Sequence, residues 1–446
     1  MKSIFKSIIA LLAITVLMGQ VSAVEWSIEV VDEGEWLGWS TSIAVDSGGT
    51  HISYYDVYNE DLKYAKWTGS QWEIQTVDSH TNVGIDTSIA IDSEGNPHIS
   101  YFNASAQNLK YAKWTGSQWE IQTVDSEGKV GSCSSIAIDS SDTPHISYRD
   151  TTNKNLKYAK WTGSQWETDI IDSQGDVGKY ITSLAIDSEG NPHISYYDDT
   201  NENLKYALMS GDKWSTQTVD SRGSVGVGNS LAIDSEDNPH ISYYDVTNKD
   251  LKFASYSDTG WDTQTVESQG DVGVGTSLAI DGSDNIHIAY FDATNKNLKY
   301  AIGTDSKWQT ETVDSGESVG QFPSIALSSE QVHISYHDTT KECLKYASAS
   351  TEAITDSSEQ PKPTATPRTE TAEPAETQTE EPEETSTRIP TTTMPIKHVR
   401  TPSVLDKTKT PTPEPAETET QPSIPGFEIL AAMAGLLAVV YLVRRK

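Results

Sequence analysis

The chain has 446 residues and a formal charge of −33, with 65 Asp and Glu against 32 Lys and Arg. A surface so acidic repels nucleic acid and anionic lipid headgroups, so no nucleic-acid partner is expected, while neutral or basic partners and cations are favoured. The only cysteines, Cys133 and Cys343, have no metal-ligand spacing, and the composition predicts no disulfide framework, no metal site and no cofactor.

Residues 1–23 combine Lys2 and Lys6, an apolar stretch from Ile8 to Met18 and the small residues Val21-Ser22-Ala23, the pattern of a secretory signal peptide cleaved after Ala23. The mature chain is therefore expected outside the cytoplasm. It opens on a Trp-led run, WSIEVVD (26–32). Between residues 40 and 350 close variants of one phrase then recur seven times: S-(I/L)-A-(I/V/L)-D-S, H-I-(S/A)-Y and L-K-(Y/F)-A, with further Trp-led runs between copies. Its histidine falls at His51, His98, His145, His193, His240, His287 and His333, a period of 46 to 48 residues. That period is the signature of a β-propeller with one four-stranded blade per repeat, so seven blades are expected over residues 24–350.

The second repeat shows why each copy reads as four strands. SIAID (88–92) and HISYF (98–102) are β-branched and aromatic runs joined by the turn cluster SEGNP, and LKYAKW (109–114) and WEIQTVD (119–125) flank the hairpin turn TGSQ. No window carries sustained apolar spacing at i, i+3, i+4 and i+7, so the fold class is all-β. The seventh repeat stops after LKYASAS (344–350) without a fourth strand, while the chain begins with a fourth strand that lacks the first three. The N-terminal strand is therefore predicted to complete the seventh blade and close the ring, which removes an unpaired sheet edge.

Residues 351–424 are rich in Thr, Pro and Glu and almost free of aromatics, and they read as a disordered stalk. Residues 425–446 hold Pro425-Gly426-Phe427, an apolar helical run from Ile429 to Val443, and the basic cluster Arg444, Arg445 and Lys446. This layout resembles the PGF-CTERM sorting signal of archaeal surface proteins. The resemblance implies attachment to the membrane through the C-terminus, processing by an archaeosortase-type enzyme and replacement of the helix by a lipid. The propeller is loosely similar to surface propellers of methanogen-type archaea, which transfers no ligand.

Seven histidines at one strand position suit a structural tie between strands better than a catalytic centre, which needs one set of unlike groups. The Trp pairs 67/72, 114/119 and 161/166 close four-residue hairpins and read as cross-strand packing. The loop after HISYY opens on Asp in six repeats, as in DVYNED (56–61). An Asp there fixes its own turn, and a weak calcium site using Asp56, Asn59 and Asp61 is the alternative. Asn103 replaces that Asp in the second repeat and begins the sequon Asn103-Ala104-Ser105, a candidate glycosylation site.

Because the repeats are so alike, a ligand on the axis can distinguish only what differs between them. The loops leading into the Ser-(Ile/Leu)-Ala strands differ most and carry Trp36, Trp39, Asp86, Tyr180 and Phe322, the candidate ligand-binding residues; aromatics with scattered carboxylates suit stacking on sugars or gripping a protein segment. Arg149 and Arg222 are the only arginines of the domain, so the three-arginine grip of a sialidase cannot form, and the S-x-D-x-G-x-x-W box is missing. The sequence is therefore read as a surface-anchored protein for binding, adhesion or envelope architecture, without catalysis. Its expected partners are cell-envelope glycans or surface proteins. The alternative is an extracellular polysaccharide hydrolase or lyase.

Overall fold

A computed structural model describes residues 24–304 and 307–351. The signal peptide, the stalk beyond residue 351 and the sorting signal at 425–446 lie outside the described residues.

The repeats fold as seven antiparallel four-stranded sheets, each contiguous in sequence except the last. Blade 2 represents the others: Val83–Ile91, Pro97–Asn103, Asn108–Trp114 and Trp119–Asp125 pair in that order. First strands of neighbouring blades meet around the axis, where each Ser of the Ser-(Ile/Leu)-Ala phrase reaches the next blade. The Ile89 N–H donates to Ser42 Oγ at 3.2 Å, and the same bond joins Ile136 to Ser88, Leu184 to Ser135, Leu231 to Ser183, Leu278 to Ser230 and Ile325 to Ser277. Ile43 N–H to Ser324 Oγ closes the circle at 3.2 Å.

The core lies between blades. Leu62, Tyr64 and Val77 of blade 1 pack on Val83, Ile89, Ile99, Tyr101 and Ala112 of blade 2, and other clusters repeat the arrangement. Full burial of a side chain such as Leu62 stabilises by about 1.5–3 kcal/mol. Polar ties cross the same interfaces. The acid ending each outer strand accepts the hydroxyl of the HISY tyrosine in the next blade: Tyr101 donates to Asp78 at 2.7 Å, Tyr148 to Asp125 at 2.7 Å and Tyr243 to Asp220 at 2.8 Å. The Trp119 indole N–H donates back to Gln75 of blade 1 at 3.1 Å.

Ser27–Asp32 pairs antiparallel with Cys343–Ser350, Ile28 opposite Ala347, and completes blade 7 as expected. Asp32 at its end accepts from Tyr54 and Lys63 of blade 1, so one short strand serves two blades.

Six of the seven repeat histidines tie neighbouring strands of a blade together through a tyrosine; His240, facing Phe253, lacks that bond. His98 Nε2 meets Asp92 at 3.1 Å and its Nδ1 meets the Tyr111 hydroxyl at 2.6 Å; a neutral ring does both by donating to the carboxylate and accepting from the phenol. Burial pushes His98 below its ordinary range, against the pull of Asp92, and fixes that neutral form. The Asp loops are self-satisfied turns: the Asn59 backbone N–H and side-chain amide donate to the two Asp56 oxygens at 3.0 and 2.8 Å. Asn103 is buried, and its Oδ1 takes the Ala106 N–H at 2.8 Å in the same role.

Candidate functional site: the axial mouth

Each first strand begins Val-Gly or, in blade 1, Leu-Gly, and the backbone geometry explains the glycine. At Gly84 φ is +102°, and a Cβ would lie 2.8 Å from the Leu62 Cα. Two residues later the chain bulges, shifting register between Ile85 and Ser88, and the residue at the bulge is left-handed in every blade. These residues are Ser40, Asp86, Cys133, Tyr180, Gly228, Gly275 and Phe322, with φ between 50° and 73°. A left-handed conformation costs an L-residue about 1 kcal/mol or more and glycine almost nothing. Blades 5 and 6 use glycine. The other five hold unlike side chains at one end of the ring, at the position where the repeats agree least.

Around this mouth the expected residues form two groups. Trp36, Trp39 and Phe322 meet at the junction of blades 7 and 1, with ring centroids 6.2 Å apart for Trp36 and Trp39 and 5.4 Å for Trp39 and Phe322. Trp39 is buried, 8% exposed, so it supports the group rather than presenting its face. His337 joins them 6.1 Å from Trp39 and donates from Nδ1 to the Leu37 carbonyl at 2.7 Å. Desolvation drives it down to about 4, so its ring is neutral.

The second group spans blades 2 to 4. Asp86 is half-buried and accepts the Cys133 N–H at 2.7 Å; burial raises its carboxyl, partly offset by that bond. Cys133 in turn accepts the Tyr180 N–H, and burial together with Asp86 holds its thiol protonated. Tyr180 lies 5.8 Å from the Tyr197 ring, with Lys179 Nζ 4.9 Å above it and paired to Asp199 at 2.7 Å. Arg149, behind this group, donates from Nη2 to Asp176 at 2.5 Å. Sequence reasoning weighed Arg149 only against a three-arginine grip and passed over His337, although the signal was present. They occupy one repeat position that is otherwise Tyr55, Phe102, Tyr197, Tyr244 and Phe291. Among the described residues no group of three or more His, Cys, Asp or Glu is placed to hold a metal ion.

Fold and site together define a seven-bladed propeller whose axial face is chemically asymmetric. Residues 424–446 match the PGF-CTERM motif, which marks a cell-surface protein anchored at its C-terminus and implies processing by an archaeosortase. No curated protein matches the chain. Among solved structures it is similar to an ulvan lyase, a polysaccharide lyase bound to -[GlcA(1-4)Rha3S]-, at 13% identity over 71% of this chain and 93% of that one, with a TM-score of 0.50. It is also similar to AofleA from Arthrobotrys oligospora (12% identity, 66% and 90% coverage, TM-score 0.46) and to the NanB sialidase from Streptococcus pneumoniae (12%, 73% and 71%, TM-score 0.43). At these identities the likeness is one of fold.

The expectation of a domain without catalysis is corrected by the ulvan lyase, an enzyme that shares this architecture. The exclusion rested on one catalytic template, the three-arginine grip and its box. Failure of a single template says nothing of other chemistry mounted on the same scaffold.

Proposed function

We propose that the propeller is the carbohydrate-engaging head of this anchored surface protein and that its mouth takes a single glycan segment. The observation that carries this reading is the left-handed ring. Five blades tolerate a backbone cost to place Ser40, Asp86, Cys133, Tyr180 and Phe322 where glycine would be easier. The aromatic members suit stacking on sugar faces, worth roughly 0.5–1.5 kcal/mol each.

The test exploits the glycines of blades 5 and 6. Tyr180→Gly and Phe322→Gly together remove two aromatics while relieving left-handed strain. Binding on a glycan array is expected to weaken at least tenfold while the double variant still unfolds cooperatively; unaltered binding would place the ligand elsewhere. Trp39→Ala, by contrast, is expected to lower the melting temperature, because that ring is packed.

A second reading, turnover of the bound polysaccharide, is favoured by Asp86, whose raised carboxyl is the kind of group that exchanges protons in catalysis. Release of new sugar ends from incubated polysaccharide, lost in Asp86→Asn, tests it.

A further inference from the structure

Arg149 is the most unusual residue of the mouth. It is 6% exposed, and Nη1 has no hydrogen-bond partner among the described residues. Elsewhere its position needs only one bond to the next blade's loop, as Tyr244 makes to Asp271 at 2.7 Å and Tyr55 to Asn82 at 3.0 Å. Arg149 makes the corresponding bond through Nη2 to Asp176. The guanidinium therefore brings a charge and a spare donor that the inter-blade contact does not use.

Charge pairing leaves a surplus at the same place. Asp176 also holds Lys154, at 3.2 Å, so two cations share one carboxylate, while Lys179 is taken up by Asp199. Cys133 and Tyr180 are the mouth residues within electrostatic reach of the guanidinium. Blade 4 carries one extra residue in its incoming strand, Val177–Ile186 against nine-residue equivalents such as Val225–Ile233, so three departures from the repeat converge here. A buried guanidinium with an unused donor fits a planar carboxylate, which accepts two parallel N–H bonds.

We propose that the blade 3–4 side of the mouth is a carboxylate subsite, in which Arg149 holds the acid group of a uronic-acid sugar and Tyr180 lies against the sugar ring. The proposal rests on the glycan reading above and names the chemical class of its ligand.

The experiment uses the full-length protein at about 0.15 M salt, where a Debye length of about 8 Å screens the remaining acidic surface. The probes are a polyuronate oligosaccharide, the same oligosaccharide with its carboxyls reduced to alcohols, and a sulfated neutral glycan. The acid form is expected to bind at least tenfold more tightly than the reduced one. Arg149→Tyr, which installs the residue of blades 1, 4 and 5, is expected to abolish that preference and keep the melting temperature. Arg149→Gln is the second variant and is expected to show the same loss if the tyrosine packs poorly. Equal binding of acid and reduced forms overturns the carboxylate subsite but leaves glycan engagement standing. A preference that survives both substitutions, or tight binding of the sulfated glycan alone, also overturns it. Binding of none of the three overturns both readings.

Discussion

At the scale of single residues, the domain is organised by side chains that are neutral because they are buried. His51, His98, His145, His193, His287, His333 and His337 are all pushed below the ordinary histidine value of 6.5, chiefly by desolvation. The folded state therefore refuses protons that the unfolded chain accepts. Stability from these rings is complete above about pH 6.5 and is lost as the pH falls toward their folded values, about 4 for His333 and His337. The carboxylates tied to the rings, such as Asp139 and Asp187, are held below 3.8, so their loss begins only at lower pH. The melting temperature of His337→Phe, which installs the residue of blades 2 and 6, is expected to fall less steeply between pH 6.5 and 4 than that of the parent. Parallel curves would show that His337 takes up its proton as readily in the folded protein as in the unfolded chain.

At the scale of elements, the closing strand Ser27–Asp32 carries disproportionate weight. It supplies the fourth strand of blade 7 and the acid that blade 1 needs for Tyr54 and Lys63, and just before it Trp26 bonds to Glu311 at 2.9 Å. Deleting residues 24–32 is expected to abolish cooperative unfolding and to cause aggregation through the bared edge of Cys343–Ser350, as followed by calorimetry and light scattering. A truncated domain that melts like the parent would mean that closure does not depend on this strand.

The strands and the closure were legible in the sequence because each depends on local alternation and on a period repeated seven times. The seam between blades was less so. Asp78 and Tyr101 sit at fixed repeat positions, but nothing local says that the acid ending WEIQTVD serves the next repeat's HISY. The left-handed bulge was invisible for a different reason. Ser40, Asp86, Cys133, Tyr180 and Phe322 share a backbone conformation and no side-chain chemistry, so only Gly228 and Gly275 hint at it. Trp39 could be singled out as a departure from the repeat, but its burial follows from Phe322 and His337, which are about 300 residues away along the chain.

At the scale of the whole molecule, the PGF-CTERM motif makes the C-terminus the point of attachment. Replacing Pro425, Gly426 and Phe427 with alanines is expected to leave the chain unprocessed, with a C-terminal peptide ending in Lys446 detectable by mass spectrometry. The same peptide in wild-type protein from its own envelope would show that the segment is kept as a plain transmembrane anchor. The mouth and the last described residues, Ser350 and Thr351, lie at opposite ends of the ring. First strands begin at the mouth, whereas Cys343–Ser350 runs away from it, and the Thr351 N–H bonds to the Glu330 carbonyl in a turn at the other end.

That exit has a mechanical consequence. A cell surface is exposed to flow and contact, and any drag on the head is transmitted to its anchor through Ser350. The strand that takes this tension is not an edge strand: Gln331–Asp338 holds it on one side and Ser27–Asp32 on the other. A pull along its axis loads both ladders in shear, so many hydrogen bonds resist together instead of peeling apart one by one. By lending its N-terminal strand to the outside of the last blade, the chain turns the strand most exposed to force into one clamped from both flanks.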